Sequence, residues 1–211
     1  MSSLLLTSCG FCTEDIKNQF LDFMDRDLSQ LKVSIITTAS PSKNDNRYAQ
    51  RAMHEFKDMG FQHINFVDIE FDDPQMLIHR DIIYINGGNP FTLLYHAKKS
   101  GADEIIKTLA AQHVIIVGVS AGALVLGPNI NIVDFFTPEM NTMNLTDFTA
   151  LGVTDKLIFP HYDREDLFKN STNQTIEERI VEFESNENCK VTRLKEEEYI
   201  SILVNRKNFL I

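Results

Sequence analysis

Short apolar runs alternate along this chain with stretches whose apolar positions recur at helical spacing. The runs at 2–8, 31–40, 63–69, 81–87 and 113–119 are dense in Leu, Ile and Val, which predicts buried strands. Between them, Ile16, Phe20 and Phe23/Met24 predict a helix over 14–24. Tyr48, Ala49, Ala52, Met53, Phe56 and Met59 form a second helical stripe, which Gly60 ends. Further helices are expected at about 90–99 and 102–111. Strands that are apolar throughout, separated by amphipathic helices, belong to a sheet covered on both faces. The pattern therefore predicts an α/β fold with a mostly parallel sheet.

After Gly127-Pro128 the rhythm loosens through 129–152, and then KLIFP (156–160) predicts a strand and TIEERIVEFESN (175–186) a helix. VTRL (191–194), YISILV (199–204) and FLI (209–211) read as C-terminal antiparallel strands, a meander around NRKN. No repeat, low-complexity tract or linker interrupts the 211 residues, so one α/β domain spanning 1–211 is expected.

Composition narrows the function classes. With 43% apolar and 24% charged residues, the chain can build an ordinary globular core. A formal net charge of −10 argues against a nucleic-acid partner, because phosphate binding needs a basic surface. Much of the acidity lies in 177–198, which reads as a solvated face rather than a ligand or metal site. The start, MSSLLLTSCGFC, lacks the basic region of a signal peptide, and no apolar run approaches the ~18 residues of a membrane span. NLT, NST and NQT match the glycosylation pattern, as chance matches without a secretory route. Cys9, Cys12 and Cys189 make no disulfide framework, which fits a cytoplasmic location.

The chemistry concentrates in GVSAGA (118–123). Here G-x-S-x-G joins the most apolar strand to a helix-like segment, the context of a nucleophile elbow. A tight turn of that kind exposes Ser120 at the carboxyl edge of the sheet. It also aims the N–H of Ala121 and the positive helix end at the point where an oxyanion would form. A serine hydroxyl needs a base. Of six histidines, His54 and His96 lie in helices, His63 and His113 at strand starts, and His79 in a polar connection. His161 follows KLIFP at the edge where open α/β sheets bind ligands, and is the expected base. For the acid that orients it, Asp134, Glu139 and Asp163 all flank this edge; Asp134 is preferred, in a segment of strand character after the elbow. INGGNP (85–90) offers a second oxyanion donor, because two glycines let a backbone N–H approach closely and Pro90 starts a helix. There is no P-loop, G-x-G-x-x-G or H-E-x-x-H, and no metal or cofactor is expected. Cys9 and Cys12 form C-x-x-C between a strand and a helix; without the rest of a thioredoxin-like pattern they read as thiols lining a loop.

Four segments in order, INGGNPFTLL, GVSAGALVLGPNI, DFTALGV and FPHYD, give the chain a resemblance to the peptidase E family of serine peptidases, which includes the aspartyl dipeptidases and, more distantly, the cyanophycinases. The resemblance implies a three-layer, flavodoxin-like sandwich similar to class I glutamine amidotransferase domains, and a metal-free Ser-His-acid site. It implies Ser120 as nucleophile, His161 as base, the Gly88 and Ala121 N–H groups as oxyanion hole, and an acid near Asp134. Asn89 and Arg179 are the expected substrate-binding positions. One departure stands out: where the aspartyl dipeptidase branch has an arginine suited to a substrate aspartate, this chain has Ile176. Ile176, Ile180 and Phe183 form a core-facing stripe, which puts preference for aspartate in doubt.

The expected function is hydrolysis of short peptides by a dipeptidase-type serine peptidase whose partner is a small peptide; a homodimer is compatible, with no stripe to identify its interface. An α/β-hydrolase esterase shares the order of Ser, Asp and His, but only 41 residues separate Ser120 from His161 and no HGGG-like motif occurs. A catalytically silent binding protein on the same scaffold is the other alternative.

Overall fold

The computed structural model describes residues 2–112, 114–170 and 174–204. Its main sheet has six strands: β1 (Ser2–Thr7), β2 (Lys32–Ile36), β3 (His63–Val67), β4 (Ile82–Ile85), β5 (Ile115–Val119) and β8 (Tyr199–Val204), in the order β3-β2-β4-β5-β1-β8. All neighbours pair in parallel except β8, which runs antiparallel to β1. The expected mostly parallel sheet with an antiparallel C-terminal strand is what forms. Two short strands outside it, β6 (Leu157–Phe159) and β7 (Val191–Arg193), pair with each other in parallel. VTRL is thus no part of an antiparallel meander. It lies beside KLIFP, so both strands end at the same edge. FLI lies outside the described residues.

Alternation along the strands divides the core in two. Leu5, Val33, Ile35, Ile82, Tyr84 and Val117 face one layer, where α1 (Glu14–Leu21) and α2 (Arg47–Asp58) bury Ile16, Phe20, Ala52 and Phe56. Leu4, Leu6, Ile36, Ile83, Ile85 and Ile116 face the other. There α3 (Pro90–Ser100), α4 (Ala102–Ala110), α5 (Ala121–Val125), α6 (Asn131–Phe136) and α7 (Ile176–Glu187) contribute to the packing. In the first layer Phe11 is fully buried, with ring centroids 4.8 Å from Phe20, 5.3 Å from Phe56 and 5.5 Å from Tyr84. Aromatic contacts of this kind add about 0.5–1.5 kcal/mol beyond burial.

Local chemistry sets the helix ends. Thr13 caps α1, Asn46 caps α2, and Thr175 with Glu178 forms a capping box on α7. Helix α1 stops at Leu21, short of the expected 24, and Phe23 and Met24 pack on the core from the turn that follows. Tyr48 is 53% exposed, off the stripe it was expected to join, because Ala49, Ala52 and Phe56 already fill the buried face of α2. Among the described residues, no helix is long and apolar enough to cross a membrane.

Candidate active site

The carboxyl ends of β4, β5, β6 and β7 meet at one edge. Ser120 follows β5 with φ 49° and ψ −108°, backbone that a serine rarely adopts, and α5 begins at the next residue. Gly122 is required by packing: a Cβ there would lie 2.2 Å from the Ile85 carbonyl oxygen at the end of β4. That contact presses the first turn of α5 onto the sheet and leaves Ser120 at the turn. The Ser120 N–H donates to the Thr7 carbonyl at 2.9 Å, tying the turn to β1. The Ala121 N–H belongs to the first helical turn, whose N–H groups have no intrahelical acceptor.

Beside the turn at Ser120 runs the turn after β4. Gly88 has φ +144°, and a Cβ there would lie 2.3 Å from the Ala39 carbonyl oxygen, so only glycine fits. Among the described residues its N–H makes no backbone hydrogen bond, whereas the next N–H, of Asn89, donates to Ala39 at 2.7 Å. Gly88, Ser120 and Ala121 all border one cavity.

His161 enters from the small sheet, one residue after Pro160, with φ 59°. Its Nε2 is 2.9 Å from Ser120 Oγ. Its Nδ1 is 2.5 Å from Glu196 Oε2, in the connection between β7 and β8. The Glu196 N–H donates to Asp163 at 2.8 Å, and Arg164 Nη1 lies 3.7 Å from Glu196 Oε1. Ser8, buried just after β1, joins the two sheets: its hydroxyl accepts from the His161 N–H at 3.0 Å and donates to the Leu194 carbonyl at 3.1 Å.

The match to Peptidase family S51 spans residues 4–209. The chain belongs to this family. Membership makes the S51 chain a peptidase, a serine-type hydrolase. It is 30% identical over 182 residues to "Uncharacterized peptidase Lmo0363" of Listeria monocytogenes, covering 84% of this chain and 86% of that protein. It is 27% identical over 122 residues to "Peptidase E" of Streptomyces coelicolor, covering 58% and 49% of the two chains. Among solved structures, a "Putative Peptidase E Protein" from Listeria monocytogenes EGD-e superposes with a TM-score of 0.74 at 26% identity, over 97% of this chain and 100% of that one.

In the S51 chain Ser120 and His161 come together, and Gly88 and Ala121 lie beside them. Asp134 does not reach His161, and Glu196 takes that place. The segment NIVDFF is helix α6, not a strand. Ile132, Val133 and Phe136 occupy its buried face, which turns Asp134 toward an open groove with Asn131, Thr146 and Asp147. Glu139 is exposed in a short 3-10 turn, and Asp163 holds the backbone of the Glu196 loop rather than the imidazole. Glu196 lay hidden in an acidic run. The signal that could have found it is register: β7 parallel to β6 brings the residues after VTRL to the histidine's edge.

Asn89 caps α3 by accepting from Phe91 and Thr92, and its amide donates to the Met140 carbonyl at 2.7 Å. Arg179 is 8% exposed, with its guanidinium 3.9 Å from the Phe136 ring centroid. It donates to the Phe168, Phe135 and Phe136 carbonyls at 3.2, 3.4 and 3.1 Å, and burial lowers its pKa from the usual value. Both residues support the wall of the cavity beside Ser120 from behind. That cavity, about 310 Å³, is lined by Leu124, Ile132, Val133, Phe136, Phe159 and Phe168 among others, and His161 is the one ionisable side chain among its described lining residues. Ile176 is 1% exposed in the same hydrophobic cluster. Of the other histidines, His54, His63 and His79 are exposed, His96 is buried in α3, and His113 lies outside the described residues.

Cys9 and Cys12, expected as loop thiols, are paired as a disulfide, while Cys189 is free. Their sequence separation of three and the turn they bracket bring the sulfurs together.

Proposed function

We propose that this chain is a cytoplasmic serine peptidase that cleaves short peptides after a residue with an apolar side chain. The supporting observation is the relay from Ser120 through His161 to Glu196 at the mouth of an apolar cavity. His161 removes the Ser120 proton as Oγ attacks the scissile carbonyl, while the carboxylate of Glu196 orients the imidazole and stabilises the imidazolium. The developing oxyanion is held by the Gly88 and Ala121 N–H groups. The proton then passes from His161 to the leaving amine, and water clears the acyl-enzyme by the same route in reverse. In this reading the leaving amine faces His161 and the side chain on the acyl side fills the cavity. A cation for a substrate aspartate is missing from the described lining residues, and Arg179 is occupied by three carbonyls. A volume of about 310 Å³ lies at the low end of the ~300–1,000 Å³ of small-ligand sites, in keeping with a short substrate.

A peptide-library digest read by mass spectrometry tests this, with Ser120→Ala as control. Cleavage after Leu, Phe or Met, abolished in the variant, is expected. Cleavage after Asp alone would refute the apolar pocket. Full activity in Ser120→Ala, or turnover of acyl esters without any peptide, would refute the peptidase reading.

A further inference from the structure

We propose that Cys9 and Cys12 form a reversible thiol–disulfide site that sets the position of Glu196 and thereby the activity of Ser120. The proposal rests on reading Glu196 as the carboxylate that orients His161. The two sulfurs touch a single main-chain group of the relay: Cys9 Sγ lies 3.0 Å and Cys12 Sγ 3.6 Å from the Glu196 carbonyl oxygen. The same residue's carboxylate contacts His161 Nδ1 at 2.5 Å.

The geometry gives the sulfurs little freedom on their inner side. Phe11, between them in sequence, is fully buried among Phe20, Phe56 and Tyr84, and the Gly10 N–H donates to Thr7 Oγ1 at 3.0 Å. Both cysteines are half-buried, so a small thiol can reach them. On the outer side, the Glu196 connection is held at Leu194 by Ser8 and at its own N–H by Asp163.

With the disulfide in place the relay is assembled. Reduction proceeds by attack of a thiolate, RS⁻, on one sulfur. The S–S bond breaks, the other cysteine leaves as thiolate and takes a proton, and a mixed disulfide remains. A second RSH resolves it, releasing RSSR and the second cysteine thiol, so two electrons and two protons pass to the protein. The sulfurs then separate from a bond of ~2.0 Å to non-bonded contact. With Phe11 fixed, the displacement falls on the Glu196 carbonyl and carries the carboxylate away from His161. The disulfide form is the faster enzyme.

The test uses the full chain with Cys189→Ser, equilibrated across ratios of reduced to oxidised dithiothreitol. Alkylation and mass spectrometry report the Cys9–Cys12 state. Fluorophosphonate labelling reports the reactivity of Ser120, and peptide hydrolysis reports kcat and KM. Reduction is expected to slow labelling and lower kcat by about ten- to 150-fold, the range spanned by one hydrogen bond to a charged group. KM should stay constant, and the midpoint should match that of alkylation. The double variant Cys9→Ala/Cys12→Ala should sit at the reduced rate and ignore the buffer; should it not fold, the titration of the parent protein decides alone. An unchanged or faster labelling rate on reduction overturns the proposal, as does a pair that never changes state. Labelling that follows the pair while no peptide is cleaved supports this inference and counts only against the peptidase reading.

Discussion

Replacing Glu196 by Gln keeps the size and shape of the side chain and removes its charge, which isolates what the carboxylate does for His161. In the ground state Oε2 stands 2.5 Å from Nδ1, and when His161 takes the serine proton the charge centres of imidazolium and carboxylate are ~4 Å apart. A unit pair at that separation is worth about 4 kcal/mol at an effective dielectric of ~20 and about 1 kcal/mol in water. Glu196 keeps 28% of its side-chain surface exposed, and Arg164 competes for Oε1, so an intermediate value of about 2–3 kcal/mol applies. That converts to a loss of about 30- to 150-fold in kcat. It is smaller than the ~10⁴-fold loss when the buried aspartate of a serine-protease triad becomes an amide. The assay is kcat and KM on the best apolar-acyl peptide, with a thermal melt to show that the variant is folded. Asp134→Asn is the counterpart and should leave kcat unchanged. Should Glu196→Gln keep the parental rate, or Asp134→Asn fall as far, the carboxylate has been assigned to the wrong residue.

Gly88→Ala places a methyl 2.3 Å from the Ala39 oxygen at φ +144°, so the turn must shift and take its N–H with it. A kcat loss of about 10²–10³-fold is expected in steady-state assays, the usual value of one oxyanion donor. Arg179→Met leaves the Phe135, Phe136 and Phe168 carbonyls without that donor, at a cost of about 1–3 kcal/mol. Calorimetry should show a Tm lower by roughly 3–10 °C, with KM for apolar peptides raised more than kcat is lowered. Arg193 bonds Glu177 and Glu184 and holds both carboxyls below their ordinary 4.5. Carboxyls depressed in the folded state stabilise above that value and lose the contribution as pH falls through their folded pKa. Melts from pH 7 to 3 should therefore fall less steeply for Arg193→Met than for the parent.

The parallel α/β layering was legible because strands such as β1, β4 and β5 are apolar runs and helices such as α1, α2 and α4 carry one-sided stripes. The strand–turn–helix around Ser120 was legible too, since two glycines flanking a serine after such a strand serve close packing of a helix on the sheet, as Gly122 against Ile85 displays. Position at a strand's carboxyl end pointed to His161. Asp134 failed for a local reason: NIVDFF alternates loosely enough to read as a strand, yet it folds as helix α6 beside α7. Glu196 failed for a topological one. The strand before it is only three residues long, and nothing local says whether it pairs parallel or antiparallel. The disulfide was not legible because three cysteines are an odd number with no framework, and only the turn that Cys9 and Cys12 bracket brings their sulfurs together.

The hydroxyl of Ser8 has a consequence beyond its two hydrogen bonds. On the reading proposed above, the groups that handle protons, His161 and Glu196, follow the strands of the small sheet, while Ser120 and the Gly88 and Ala121 N–H groups follow strands of the large one. On that reading the placement of one sheet against the other sets the geometry between Ser120 and His161, and Ser8 is a rivet across the seam. On that reading, substitutions in the loops that feed the small sheet are expected to change turnover without altering any group that meets the substrate.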